Sequence, residues 1–188
     1  MMERTSLGAA ALCAMVWLSA SASNSSFTAA TSASKLEFIG TQAGAEFTGT
    51  FHEYTASVEF NPDALEGAHI DVQIQLASVD TKDRDRDKTI RGPDILDTAR
   101  FPVAHYVTRS IAKSGNGYTA LGALTLHGVT KEVPITFQFV PSNGSAKLVG
   151  TAQLKRLEFG AGQGDWKSTE WVADPVKISF ALVLNGKP

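Results

Sequence analysis

The sequence predicts an all-β protein of half-buried antiparallel strands, arranged as a sandwich or a closed barrel. Three observations carry this reading. Apolar and polar residues alternate with period two in one segment after another between residues 35 and 184. Turn-forming clusters separate those segments. One long interruption, residues 81–98, breaks the pattern and has room for a short helix within residues 86–96. Period two marks a strand with one face in a core and the other in water, whereas the strands of parallel βαβ units are apolar on both faces.

The chain opens with a segment set apart from the fold. Arg4 and the amino terminus give a weakly positive start, partly offset by Glu3, and residues 7–18 form an uncharged, largely apolar run. Ala20-Ser21-Ala22 then places small residues where a signal peptidase reads them, so residues 1–22 are expected to be a cleaved secretory signal. The run is shorter than the roughly 20 apolar residues of a membrane span. Leu12 precedes Cys13, where a bacterial lipobox wants a small residue, so no lipid anchor and no stable membrane anchor is expected. Cleavage after Ala22 removes the chain's one cysteine, which suits an exported protein that does not rely on disulfides.

Residues 23–33 are mostly Ser, Ala, Thr and Asn around Phe27, and read as a flexible lead-in or a weak first strand. The strand signal then begins in earnest. Leu36 and Phe38 alternate with charge. His52, Tyr54, Ala56, Val58 and Phe60 share one face, and Ile70, Val72, Ile74 and Leu76 share another. Tyr118, Ala120, Gly122, Leu124 and Leu126 follow, then Val133, Ile135, Phe137 and Phe139. Ala146, Leu148, Gly150, Ala152 and Leu154 come next, and Val176, Ile178, Phe180, Leu182 and Leu184 close the series. Asn61-Pro62-Asp63, Ser114-Gly115-Asn116-Gly117 and Pro141-Ser142-Asn143-Gly144 are the turns between them. One domain, residues 34–188, accounts for the remainder.

Composition removes several classes of function. Seventeen Lys and Arg against nineteen Asp and Glu leave a net charge of −2, with none of the basic excess that phosphate-backbone binding needs, so no nucleic-acid partner is expected. Candidate chemical sites fare no better. Asp83, Asp85, Asp87 and Asp94 have the spacing of a calcium loop, but Lys88 stands where the turn needs Gly and Arg84 and Arg86 compete, so a solvated, salt-bridged loop is the preferred reading. His52, His69, His105 and His127 show no short metal-ligand spacing. Gly160-Ala-Gly-Gln-Gly164 lacks the Lys and helix of a phosphate loop and fits a turn or bulge better. Trp166 and Trp171 are candidates to cover an apolar opening, with ordinary packing as the default reading for both. The mature chain has no GxSxG elbow, no HExxH and no cysteine nucleophile, so no catalytic residue, metal or cofactor is assigned.

Several stretches together resemble one family. Gly122-Ala-Leu-Thr-Leu-His-Gly-Val-Thr-Lys-Glu-Val133 is similar to the most recognisable stretch of the YceI family of exported lipocalin-like proteins. Thr81 with Arg86-Asp87, Asp94-Ile-Leu-Asp97 and Phe101-Pro102 resembles its central segment, and Gly49-Thr-Phe51 and Arg156-Leu-Glu-Phe-Gly160 resemble its early and late strand pairs. Ile95-Leu96 and His105 stand where members more often carry Phe. The resemblance implies an eight-stranded antiparallel lipocalin-like barrel, a periplasmic location, and an apolar interior that binds a polyisoprenoid or other long-chain lipid. On that footing the inward positions expected to line the interior are Phe38, Phe51, Val58, Phe60, Val72, Ile74, Leu124, Leu126, Ile135, Phe137, Phe180 and Leu182. Arg86, near the barrel mouth, is the candidate contact for an anionic headgroup, with pairing to a neighbouring Asp as the competing reading. Two alternatives stay open: a filled barrel that docks on another envelope protein, and a cavity enzyme acting on an isoprenoid.

Overall fold

The computed structural model describes residues 24–186. Strands β1 (Ser25–Ala29), β2 (Lys35–Gln42), β3 (Ala45–Phe51), β4 (Tyr54–Phe60) and β5 (His69–Gln75) precede the short β6 (Val79–Asp80) and the one α-helix among the described residues, α1 (Arg84–Arg91). Five long strands follow: β7 (Val103–Ser114), β8 (Gly117–Leu126), β9 (Val129–Ser142), β10 (Ser145–Lys155) and β11 (Pro175–Gly186). All pairings are antiparallel, and β11 returns to β1, so the ring β1-β4-β5-β7-β8-β9-β10-β11 closes on itself. β2 and β3 continue β1 and β4 past kinks at residues 30–34 and 52–53, giving eight long staves. The closed, eight-stranded antiparallel barrel with one short helix is the architecture the resemblance implied.

Closure depends on the segment with the weakest sequence signal. In β1, Phe27 pairs with Val58 of β4 on one side and with Gly186 of β11 on the other. Its ring is buried against Phe139, with centroids 5.6 Å apart. Residues 25–29 are therefore a strand. Two flanking ladders supply what one apolar residue does not, and they leave neither neighbour with a bare edge.

Small residues let the staves carry large rings inside a narrow barrel. Phe38 lies opposite Gly49, and Phe180 opposite Gly150, in strand register. A Cβ on either glycine would run into the facing ring, so these glycines are seats for aromatic side chains. The β8–β9 hairpin turns on His127 and Gly128, both with positive φ (51° and 75°), as a two-residue hairpin turn requires.

The helix sits earlier and is shorter than residues 86–96. Asp83 sets its start by accepting hydrogen bonds from the backbone N–H of Asp85 and Arg86 at 3.0 and 3.1 Å. Gly92, held extended before Pro93, ends it. Its inner face rests on a small core of Leu76, Val79, Ile90, Leu96, Ala104 and Ala161, separate from the larger core inside the barrel.

Candidate functional site

One half of the barrel interior is hollow and the other is filled. The hollow half is a cavity of about 480 Å³, within the roughly 300–1,000 Å³ of small-molecule pockets. Inward residues of every stave contribute, among them Leu36 and Phe38 (β2), Phe51 (β3), Tyr54 (β4), Ile70 and Ile74 (β5), Tyr106 (β7) and Leu124 (β8). Ile135 (β9), Leu148 and Leu154 (β10) and Ile178, Phe180 and Leu182 (β11) complete the wall. Two tyrosines, Tyr54 and Tyr106, are part of the wall. The Tyr106 hydroxyl donates to the Val133 carbonyl at 3.2 Å. Burial pushes both phenols up, with the Ser34 hydroxyl opposing the shift at Tyr54 and the Glu132 charge adding to it at Tyr106.

An aromatic plug makes the floor. The Phe60 ring lies 4.6 Å from Phe139, 4.8 Å from Tyr118 and 5.8 Å from Phe137, centroid to centroid. Val58, Ala120, Ala146 and Leu184 fill the space around them. The roof is made by α1, residues 92–102 and the crossover at residues 156–174. Polar groups meet the cavity at the seam between these pieces, where Gln42, Asp83, Asp85, Arg86 and Thr89 stand with Trp166 and Val172.

Arg86 is held at that seam from three sides. Its Nε donates to Gln42 Oε1 at 3.1 Å, its Nη2 lies 3.6 Å from the Asp83 carboxylate, and its guanidinium carbon is 4.4 Å from the Phe47 ring centroid. The Arg86 backbone N–H and, secondarily, its charge hold the Asp83 carboxyl below its ordinary range. Asp87 turns inward instead, accepting from the Thr81 N–H at 2.8 Å and hydroxyl at 2.7 Å, which ties α1 to the end of β6. Asp83 and Asp87 thus serve the helix and its anchor. Among the described residues, no three His, Cys, Asp or Glu side chains gather as a metal site.

The crossover half of the roof is tied down by Arg156, only 6% exposed. Its guanidinium donates to the carbonyls of Ala173 (3.1 Å), Ala161 (2.9 Å), Ser168 (3.3 Å) and Val172 (2.8 Å). Burial lowers its pKa, and the Asp174 carboxylate opposes that. Gly160, Gly162 and Gly164, all at positive φ, turn the chain within this crossover. Trp166 reaches the cavity, whereas Trp171 is 66% exposed.

Of the twelve apolar positions chosen by alternation, Phe38, Phe51, Val72, Ile74, Leu124, Leu126, Ile135, Phe180 and Leu182 lie on the cavity wall, and Arg86 lies at its mouth. Val58, Phe60 and Phe137 do not. They face inward but belong to the plug, because alternation gives a residue's face and says nothing of its height along the barrel. Leu36, Tyr54, Ile70, Leu148 and Ile178, on the same alternating faces, line the cavity as well. Phe47, Ile90, Ile95 and Trp166 reach the cavity from segments without such a pattern. His52 and His105 lie in separate surface pairs, each with its Nε2 3.1 Å from a carboxylate, Asp80 and Asp71 respectively.

A closed eight-stranded antiparallel barrel with an apolar chamber, plugged at one end and roofed by a short helix at the other, is a lipocalin-like calyx. The chain belongs to the YceI-like domain family, whose model matches residues 27–184. It is 35% identical over 133 residues to a UPF0312 protein of Shewanella denitrificans, covering 66% of this chain and 70% of that one. A UPF0312 protein of Yersinia pestis is 38% identical over 87 residues, 46% of this chain and 45% of that protein, so the match spans less than half of that relative. Among solved structures, Burkholderia cenocepacia BcnA superposes with a TM-score of 0.80 at 30% identity, over 82% of this chain and 98% of that one. A polyisoprenoid binding domain from Saccharophagus degradans, implicated in plant cell wall breakdown, shares the fold at TM-score 0.67 and 18% identity, over 87% and 99% of the two chains. Among the described residues, no helix is long and apolar enough to cross a membrane.

Proposed function

We propose that this protein is an exported, periplasmic binding protein that shelters the hydrocarbon chain of an isoprenoid or similar lipid in its barrel, with no chemical step. The observation that carries the reading is the cavity itself, about 480 Å³ walled by aliphatic and aromatic side chains in a domain otherwise packed to its core. A domain gains stability by filling its interior, so a chamber of that size is retained for an occupant. Each CH₂ moved from water into it is worth up to about 0.8 kcal/mol, less the cost of ordering a flexible chain. The polyisoprenoid binding domain of the same fold supports this choice of ligand class.

In this reading the nine wall residues predicted from alternation contact the chain, and Arg86 at the mouth meets the polar head. The protein, purified from the exported fraction without detergent, is examined by native mass spectrometry. A lipid adduct that dissociates as an intact isoprenoid or long-chain amphiphile is the expected result. An adduct-free protein that also fails to take up added prenyl alcohol overturns the reading and returns the barrel to a docking role.

A further inference from the structure

We infer that Asn143, at the tip of the β9–β10 hairpin, is a self-modifying site: the main-chain nitrogen of Gly144 attacks its side chain, and the turn converts to aspartate and isoaspartate without an enzyme. The chain holds three Asn-Gly pairs, Asn116-Gly117, Asn143-Gly144 and Asn185-Gly186. A glycine after asparagine sets no side chain in the way of this ring closure, so by sequence the three are equivalent. The fold separates them. Gly117 is the first residue of β8 and closes its hairpin opposite Ser114, where the ladder holds its N–H. Gly186, the last residue of β11, donates its N–H to the Gly144 carbonyl at 2.9 Å. Gly144 itself stands outside any strand, between the paired Ser142 and Ser145. Among the described residues, its N–H and the Asn143 side chain make no hydrogen bond. Both residues are exposed, and the space beside the Gly144 Cα is open. Of the three pairs, this one alone presents a free nucleophile beside a free amide.

The step needs only water. Loss of the Gly144 N–H proton to solvent leaves the nitrogen to attack the side-chain carbonyl carbon of Asn143. A C–N bond forms there, the bond to the side-chain nitrogen breaks, and ammonia leaves with a proton returned from solvent, which closes a succinimide. Water then opens the ring. Addition at the side-chain carbonyl gives aspartate, and addition at the main-chain carbonyl gives isoaspartate, whose main chain runs through Cβ and is longer by one carbon. Either product puts a carboxylate where a neutral amide stood. The longer turn also bears on barrel closure. The Gly144 carbonyl is the acceptor for the Gly186 N–H, and Gly186 is the residue of β11 with which Phe27 of β1 pairs. An added main-chain carbon displaces that carbonyl and weakens the bond that steadies the closing strand.

The test ages the mature protein in mildly alkaline buffer and maps it with trypsin, reading the peptides by electron-transfer dissociation, which tells isoaspartate from aspartate. The three pairs fall in separate tryptic peptides. Asn143 is expected to convert at least about tenfold faster than Asn116 or Asn185, whose attacking nitrogens are released only when a hydrogen bond opens. Once guanidinium has unfolded the chain, the three should convert within about threefold of one another, because the ladders that set them apart are gone. Asn143→Gln, which would have to close a larger and slower ring, should remove the dominant acidic form that ageing produces on isoelectric focusing. In the aged isoaspartate form, hydrogen exchange at the Gly186 N–H should quicken. Conversion of Asn116 or Asn185 as fast as Asn143 in the folded protein overturns the assignment, as does an acidic form that persists in Asn143→Gln. Exchange at Gly186 that ageing leaves unchanged overturns the link from this turn to barrel closure.

Discussion

Ile135 and Phe137 are consecutive inward residues of β9, and the cavity floor passes between them: Ile135 faces the open chamber, while Phe137 stacks on Tyr118 with centroids 5.4 Å apart. Two side chains on one face of one strand thus have opposite tasks. On β4, across the barrel from β9, the same division recurs: Tyr54 lines the chamber and Val58 and Phe60 do not.

Because Phe137 sits in the filled half, enlarging it has no empty space to use. Phe137→Trp should cost about 1–3 kcal/mol by overpacking against Phe60 and Tyr118. Chemical denaturation of the ligand-free protein gives the number, and a change under 0.5 kcal/mol would place the residue beside free volume instead.

Arg86 makes three contacts at the mouth, yet its ion pair with Asp83, at 3.6 Å, is a loose one. An incoming phosphate can compete for that edge of the guanidinium. Arg86→Gln is expected to weaken a prenyl phosphate by about tenfold and to leave the prenyl alcohol of equal length within twofold. The phosphate's affinity for the unmodified protein should also fall with added salt. Equal losses for both ligands would assign Arg86 to holding the roof.

Asp87 is buried and satisfies both the N–H and the hydroxyl of Thr81. Asp87→Ala leaves a buried N–H without its acceptor, which costs about 1–3 kcal/mol. Thermal unfolding should register the loss, and hydrogen exchange should quicken first in α1.

Tyr106 gives the barrel an alkaline limit. Burial raises its pKa above the ordinary 10.0, and the Glu132 charge adds to the shift. The folded state therefore keeps a proton that the unfolded chain gives up. Its contribution is fully present below about pH 10 and is lost as pH rises through the folded pKa. Tyr54 shifts in the same direction. Stability measured from pH 8 to 12 should fall above pH 10, and less steeply in Tyr106→Phe, which also gives up the hydrogen bond to Val133 at about 1 kcal/mol.

Residues 1–22, expected to be a cleaved signal, lie outside the described residues. Sequencing the exported protein from its amino terminus should begin at Ser23. A chain that retains Met1 in the membrane fraction would contradict the periplasmic assignment.

The sequence by itself determined which face of each strong strand turns inward. Period two is a local property, set by the pleat and by the need to hide one face from water, so Val72, Leu124 and Phe180 could be placed inside from their neighbours alone. The ordered motifs from Gly49 to Gly160 were enough to indicate the family and with it the barrel. Only the tertiary structure decided the height of each residue along the axis, and hence that Phe60 and Phe137 form a floor while Phe38 and Ile135 form a wall. It also decided that residues 25–29 are a strand, because that strand exists through ladders to partners about thirty and one hundred and sixty residues away. The mouth was the least legible part. Arg86 meets Gln42 and Phe47, and Arg156 gathers four carbonyls from its crossover, only once the staves have brought those segments to one end. Alternation is written in adjacent residues, whereas depth, closure and a roof are relations between distant ones, fixed when the sheet curls and meets itself.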